Sequence, residues 1–459
     1  MLEAFRVREL YCPSHFGNSY EVAGMQEMRS ILSEARFWGF NRYSDWFDTV
    51  DLRNPYEKDD GKFDMPEAVW ARKFSSFAIA QNLGFDLGLV VTPNHVFLEQ
   101  VTAENAAEKV RNRIFGQLVC PSKPGVIDMI LQNYRRLFRD FSDRKICLTA
   151  ITTAAYDYGG CVCSSCQPWI VTFGRLTQRI VEMARDFFPD VQSELCGWWW
   201  TDKDHEEFTR WANREAPGFF AALAHHLPYG DGETSYKKRP VPDGCKERAF
   251  VHIGYGETRG IDVYGHYGPG IAPARLERTM AFLAEQQADG FQAYSEGLCD
   301  DINKAIVAGI GSGRYGTSQD VLRAYAARYL HGDESAWSGW LSRMGQIDAV
   351  DPVVARRQFD ELRTSSRPSW RLRALAEKLN MREADALVRS EATWNEAKLI
   401  AAGNFWAAKE RIWREVWGLG LGRHALKFDW LTPDWHAEYL RETKGQTVGD
   451  NNPTPNAEA

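Results

Sequence analysis

The sequence contains no run of eighteen or more apolar residues, so no transmembrane helix is expected. Its opening, MLEAFRVREL, lacks the basic and then apolar layout of a signal peptide. Basic residues are not in excess: Lys and Arg number 55 against 62 Asp and Glu, for a formal net charge of −7 and a pI near 5.9. That balance argues against nucleic acid and against a membrane surface as the main partner. No HxH or HExxH signature is present, no glycine-rich phosphate turn follows the first apolar run, and no internal repeat is visible. The cysteines number nine, an odd count scattered through a chain with no export signal. They fit reduced thiols in a cytoplasm better than a disulfide framework.

What the chain does have is length and aromatic surface. Its 459 residues suffice for a large core, with ordinary apolar (44 %) and charged (25 %) fractions. Seventeen tryptophans and an aromatic share of 13 % exceed what such a core usually requires. Tryptophan offers flat apolar faces with one polar donor, which suits stacking on sugar rings. In the run Trp198, Trp199 and Trp200, neighbours on a strand face opposite ways, so the three cannot all enter one core.

Apolar or β-branched runs recur at 6–12, 39–46, 85–94, 146–157, 191–200, 218–230, 249–257 and 290–297, and most precede an amphipathic helical pattern. The run at 218–230 is ambiguous between strand and helix. Helices are expected near 22–37, 66–83, 103–115, 125–141, 171–188, 273–289 and from about Asp204. Eight strands alternating with helices predict an α/β fold, a (β/α)8 TIM-like barrel over residues 1–300. The polar stretch 230–247, rich in Gly and Pro, shows no helix, so the barrel is expected to be irregular there. After residue 300 the strand pattern stops, predicting a helical C-terminal domain over 301–443 and a flexible tail over 444–459.

In such a barrel the C-terminal strand ends share one mouth. By this rule the candidates are His15 and Asn18 after strand one; Arg42, Asp45 and Trp46 at strand two; and Asn94 and His95 after strand three. Tyr156, Asp157 and Tyr158 end strand four, and Trp199, Trp200 and Asp202 end strand five. His225, His226 and Tyr229 follow strand six; Tyr255, Glu257 and Arg259, strand seven; Tyr294 and Glu296, strand eight. Carboxylates and aromatics on one face suit a carbohydrate, because a carboxyl pair across a glycosidic bond supplies an acid and a base or nucleophile. Asp157 and Glu296 are the preferred pair, each followed within two residues by a glycine that lets the chain turn beneath a ligand. Substrate-binding roles are assigned to Arg42, Asp45, Asn94, Trp199, Trp200, Asp202, His226, Tyr255, Glu257 and Tyr294. Asp202 also reads as the first-turn acid of the helix that follows it.

Cys161, Cys163 and Cys166 form C-x-C-x-x-C, three of the four thiolates of a tetrahedral zinc site. The sequence offers Cys196, Cys299 or a histidine as a fourth ligand. Packing of a tight rim loop and redox use of Cys163 and Cys166 are the other readings of the motif.

The segment 157-DYGGCVCSSC-166 resembles the D-x-G-x-C-x-C-x-x-C segment of barrel glycoside hydrolases in the broad grouping of α-glucuronidases and β-N-acetylhexosaminidases. The stretches 291-FQAYSEGLCDDINKAIVAG-309 and 322-LRAYAARYLHG-332 are similar to such enzymes as well, and the resemblance covers about residues 5–335. It implies a barrel followed by helices, glycosidase activity, and a general acid at the end of strand four, which is the position of Asp157. Hexosaminidases of that grouping carry adjacent Asp and Glu there, whereas Tyr158 follows Asp157 here.

The expected function is therefore an exo-acting glycoside hydrolase on a small carbohydrate, needing no cofactor, with a structural zinc ion and a homo-oligomer left open. A uronic or sialic acid would pair with Arg42 or Arg259. Two alternatives stand beside it. One is a metal-dependent barrel enzyme using His15, His95, His226, Asp157 and Glu257, such as a sugar isomerase or another hydrolase. The other is a non-catalytic sugar-binding barrel.

Overall fold

The computed structural model describes residues 4–14, 18–21, 23–47, 49, 53–57, 65–108, 118–156, 159–257, 268–346, 350–416 and 433–444. Eight parallel strands close into a barrel in chain order. They are β1 (Val7–Tyr11), β2 (Arg42–Trp46), β3 (Asp86–Val91), β4 (Ala150–Ala154), β5 (Gln192–Cys196), β6 (Phe220–Leu227), β7 (Lys246–His252) and β8 (Gly290–Tyr294). Closure is the pairing of β8 with β1, in register from Val7 opposite Gly290 to Tyr11 opposite Tyr294. The ambiguous run at 218–230 is thus a strand.

Around the barrel lie α1 (Met25–Trp38), α2 (Met65–Asn82), α3 (Val126–Asp143), α4 (Trp169–Ala184), α5 (Asp202–Glu215), α6 (Pro273–Glu285) and α7 (Asp301–Gly311). Between β6 and β7 the described chain has only a 3-10 segment, Tyr229–Ser235, and a loop, so the irregularity falls where the polar stretch placed it. The helix expected near 103–115 is not seen in its described part: residues 103–108 form turns, and Ala106 bridges Val119 in antiparallel fashion. Helices α8 (Ser318–Tyr325), α9 (Glu334–Gly345), α10 (Pro352–Arg363), α11 (Trp370–Ser390), α12 (Glu396–Arg411) and α13 (His436–Lys444) make up the C-terminal region. No helix among the described residues is long and apolar enough to cross a membrane.

Alternation along the strands sorts side chains between the barrel interior and the helical layer. On β2, Tyr43 points outward, with its ring 5.1 Å from Phe77 of α2. Arg42, Ser44 and Trp46 point inward. The lower interior is ionic: Glu194 accepts hydrogen bonds from Arg42 (2.7 Å) and Arg248 (2.6 Å), and Glu9 accepts from Gln292 (2.6 Å) and from Ser44. Burial alone would raise the Glu194 carboxyl, but the two guanidinium groups outweigh it and hold the group below the usual carboxylate range. Above this layer the interior turns aromatic, with Tyr11, Trp46, Tyr156, Trp198 and Phe250 in one cluster.

Candidate active site

The aromatic layer forms the floor of the mouth. Tyr11, ending β1, and Tyr156, two residues past β4, share a hydrogen bond between their hydroxyls. Tyr156 lies 4.7 Å from the ring of Trp46 and takes a left-handed φ of 46°. Trp198 stacks on His226 at 4.3 Å with an 18° interplanar angle. His226 and His252 meet Nε2 to Nε2 at 3.2 Å, so one ring donates while the other accepts. Burial lowers the His226 pKa to about 3. Burial, with the charges of His226 and Arg275, pushes His252 down too, and both rings are neutral at physiological pH. Tyr294, ending β8, packs edge-on against Tyr11 at 5.7 Å.

Glu296 stands two residues past β8 with only 6 % of its surface exposed. Its side chain lies directly on Gly254, where an added Cβ would come within 2.9 Å of the Glu296 carboxyl carbon. The Glu296 backbone is fixed on both sides. Its N–H donates to Asp300 (2.7 Å), and its carbonyl accepts from the Ser19 N–H (3.2 Å). Asp300 is in turn paired with Lys304 at 2.7 Å, a fully enclosed ion pair under the loop.

Several sequence candidates lie elsewhere. Arg42 is the first residue of β2, at the barrel end opposite the mouth, and is committed to Glu194 and Glu9. Asp45 points outward, where it accepts from the Ser14 (3.0 Å) and Trp46 (2.7 Å) N–H groups and pairs with Lys73 of α2 at 3.3 Å. Trp200 packs between helices, 5.0 Å from Phe208 and 5.9 Å from Phe173. Asp202 opens α5 in the first-turn position and bonds Arg239 at 2.7 Å on the surface. Glu257 caps α6, accepting from the N–H groups of Ala274 (2.5 Å) and Arg275 (2.8 Å), with its carboxyl raised by burial.

Others do gather at the mouth. Trp199 is half-buried with its ring 5.2 Å from His226, and the Tyr255 ring stands edge-on to His252 at 5.5 Å. Asn94 is buried where the loops after β3 and β4 meet, and its carbonyl accepts the Val119 N–H. His95 lies 5.9 Å from Trp46, and the Asn18 amide donates to the Pro13 carbonyl. His225 faces away from the mouth, onto Glu247 at 3.0 Å. Asp157, Tyr158, His15 and Arg259 lie outside the described residues, as does the Tyr229 side chain.

The cysteine motif has its fourth partner in Cys120, not in Cys196, Cys299 or a histidine. Cys120, Cys161, Cys163 and Cys166 place their sulfurs within 4.8 Å of one another, a set able to hold a metal ion. Among the described residues no other group of histidines, cysteines and carboxylates is gathered this closely. A hydrogen bond from Ser122 lowers the Cys163 thiol to about 6, while burial raises Cys166 to about 12.

The sequence candidates did not include Tyr11, His252 or Cys120, and Trp198 was singled out in its tryptophan run without a binding role. Tyr11 and His252 lie inside the apolar runs 6–12 and 249–257 and end β1 and β7, where the strand-end rule applies once the strand bounds are known. Cys120, in the loop between β3 and α3, carried no spacing signal.

No family model matches the chain, and no curated protein does. Solved structures share the fold at low identity. CpGH89 from Clostridium perfringens, in complex with its substrate GlcNAc-alpha-1,4-galactose, aligns with a TM-score of 0.55 at 9 % identity. The alignment covers 90 % of this chain and 54 % of that one. The catalytic domain of a Paenibacillus polymyxa beta-amylase aligns with a TM-score of 0.44 at 8 % identity, over 67 % of this chain and 98 % of that one. A GH20 catalytic module of the pneumococcal exo-beta-D-N-acetylglucosaminidase StrH gives 0.43 at 11 %, over 79 % and 98 %. The chain's closed barrel thus resembles the fold of CpGH89, and at 9 % identity the likeness concerns the fold alone.

Proposed function

We propose that the protein is an exo-acting glycoside hydrolase that removes a terminal sugar from a small oligosaccharide or glycoside. The observation that carries this reading is Glu296, anchored past β8 beside a mouth floored with Tyr11, Trp46, Trp198 and Tyr294. A fixed carboxylate beside flat apolar faces suits a pyranose ring, whose C–H face stacks while its bond is cleaved. In this mechanism Asp157 protonates the leaving oxygen and Glu296 acts as base or nucleophile. The neutral His226–His252 pair, with the His226 Nδ1 accepting the Trp199 N–H, fixes the floor on which the sugar rests, and Trp199 borders the sugar. Arg42 has no part in binding a sugar carboxylate, being held by Glu194 at the barrel base.

The reaction so written needs no cofactor. Zinc on the four thiolates would be structural. Nine free cysteines favour a reducing compartment, the cytoplasm. The test is a panel of aryl glycosides and oligosaccharides. Asp157→Asn and Glu296→Gln should each lower kcat by about 10²–10⁴ on the substrate found. Turnover that survives both substitutions would overturn the residue assignment, and tight sugar binding without turnover would identify a binding barrel instead.

A further inference from the structure

We propose that Cys120, Cys161, Cys163 and Cys166 bind one zinc ion that fastens the β3–α3 loop to the β4–α4 loop at the rim of the mouth. A tetrahedral ion with Zn–S bonds of about 2.3 Å holds its sulfurs about 3.8 Å apart. The Cys120 sulfur lies 3.7 Å from Cys163 and 3.6 Å from Cys166, and all four fall within 4.8 Å. Disulfides would need sulfurs about 2.05 Å apart, and all four thiols are free. The set is too tight to enclose a polynuclear cluster, whose thiolates must stand outside several metal atoms. Four sulfur donors also select a thiophilic ion over magnesium or calcium.

The surroundings are those of bound sulfur. The Glu108 N–H donates to the Cys161 sulfur at 3.4 Å, and the Ser122 hydroxyl lies 2.9 Å from Cys120 and 3.5 Å from Cys163. Such outer contacts orient metal ligands. Four protein ligands leave no open position for water or substrate, so the ion has a structural part and no catalytic one.

Its mechanical effect follows from where the ligands sit. Cys120 belongs to a short hairpin-like pairing in which the Cys120 N–H donates to the Asn105 carbonyl and the Ala107 N–H to the Leu118 carbonyl, both at 2.8 Å. The other three ligands lie between β4 and α4, in a loop that includes a 3-10 turn, Ser164–Cys166. Among the described residues one backbone bond, Val162 N–H to the Glu108 carbonyl at 3.1 Å, ties this loop to the first. The ion would supply the remaining constraint, and its last tie toward the barrel, Cys161, stands five residues after Tyr156. Zinc thereby sets the position of the strand-four end without touching a substrate.

The proposal is independent of the glycosidase reading, since its test uses no substrate. Full-length protein purified under reducing conditions should carry one zinc per chain by elemental analysis. Replacement with cobalt(II) should give the intense near-ultraviolet sulfur-to-metal charge-transfer band of a four-thiolate site. Cys120→Ser and Cys161→Ser should each lose the metal, whereas Cys147→Ser, at an exposed thiol remote from the cluster, should keep it. Stripping zinc should lower Tm by on the order of 5 °C. It should also speed hydrogen exchange at least about tenfold in 118–122 and 159–168, with β6–β8 unaffected. Should the serine variants fail to fold, the wild-type metal content and cobalt spectrum still decide. Iron in place of zinc, a disulfide among the four, failure to take up added zinc, or metal retained by both variants would overturn the proposal.

Discussion

Burial makes the two mouth histidines responsive to acid. His226 titrates near 3 in the folded chain against an ordinary value of 6.5, and His252 is displaced the same way. Above pH 6.5 both are neutral whether folded or unfolded, and they contribute nothing to the pH dependence. As pH falls below 6.5 the unfolded chain takes up protons that the folded chain refuses. Stability is lost by up to about 1.4 kcal/mol per pH unit for each such group, until the folded histidine itself protonates. His205, lowered to about 3 chiefly by burial, adds to this in the same direction. Glu194, held below its ordinary 4.5, costs stability only at lower pH, while the buried Glu257 carboxyl, raised above 4.5, works against the histidines in part of the window between about 6.5 and 4.5, so the share of one histidine is read by removing it. Urea unfolding at several pH values across that window should show the decline, and His226→Gln should flatten it. An unchanged slope in that variant would show that His226 does not carry the effect.

Among the elements, the strands and helices follow from local periodicity, while the loops depend on close contacts. The turn after β8 is the sharpest case. Gly297 has a φ of 121°, and an added Cβ would fall 1.9 Å from the Ser19 Oγ, itself bonded to the Leu298 N–H at 3.1 Å. Gly297→Ala therefore meets both backbone strain and a collision, and should destabilise the protein by about 2–4 kcal/mol while displacing Glu296. Gly218 also has a positive φ, 70°, yet nothing lies within 4 Å of its missing Cβ. Gly218→Ala should cost only about 1 kcal/mol and leave turnover unchanged. Chemical denaturation of the two variants, with kcat measured beside it, separates the contributions. A glycine after Glu296 was legible in the sequence, but the opposing Ser19 was not, because it comes from 278 residues earlier in the chain.

For the whole molecule, the expected boundary at residue 300 falls at the start of α7, which packs against α6 and α1 as the last helix around the barrel. Beyond it the apolar core continues without a break from Phe291 and Ile306 through Tyr325, Trp337 and Trp340 to Phe359 and Leu375. Arg371 of α11 grips Asp301 of α7 with two hydrogen bonds, at 2.6 and 3.0 Å, and lies 3.7 Å over the Tyr329 ring. With the buried apolar cluster continuous across that boundary among the described residues, the barrel and helices α8–α11 should unfold together. Calorimetry should show one transition with matching calorimetric and van't Hoff enthalpies. Two resolved transitions would show that the C-terminal helices melt separately.

The sequence by itself determined the architecture. Period-two and period-3.6 patterns are local, so most strand and helix runs, the missing helix at 230–247 and the helical C-terminal region could be read directly, the run at 218–230 and the helix expected near 103–115 being the exceptions. It also marked the cysteine motif and the end of β8 as places of interest. Tertiary structure alone decided which side chains meet. The left-handed φ of 55° at Trp199 breaks strand alternation, so that Trp198 joins the floor and Trp200 leaves it for the helical layer. Arg42 is drawn to the base of the barrel by Glu194, a partner 152 residues away, and His252 reaches His226 only once β6 and β7 are side by side. Cys120 becomes a ligand because two loops fold over one rim. Each of these depends on barrel closure, which places distant residues together and leaves no trace in their spacing.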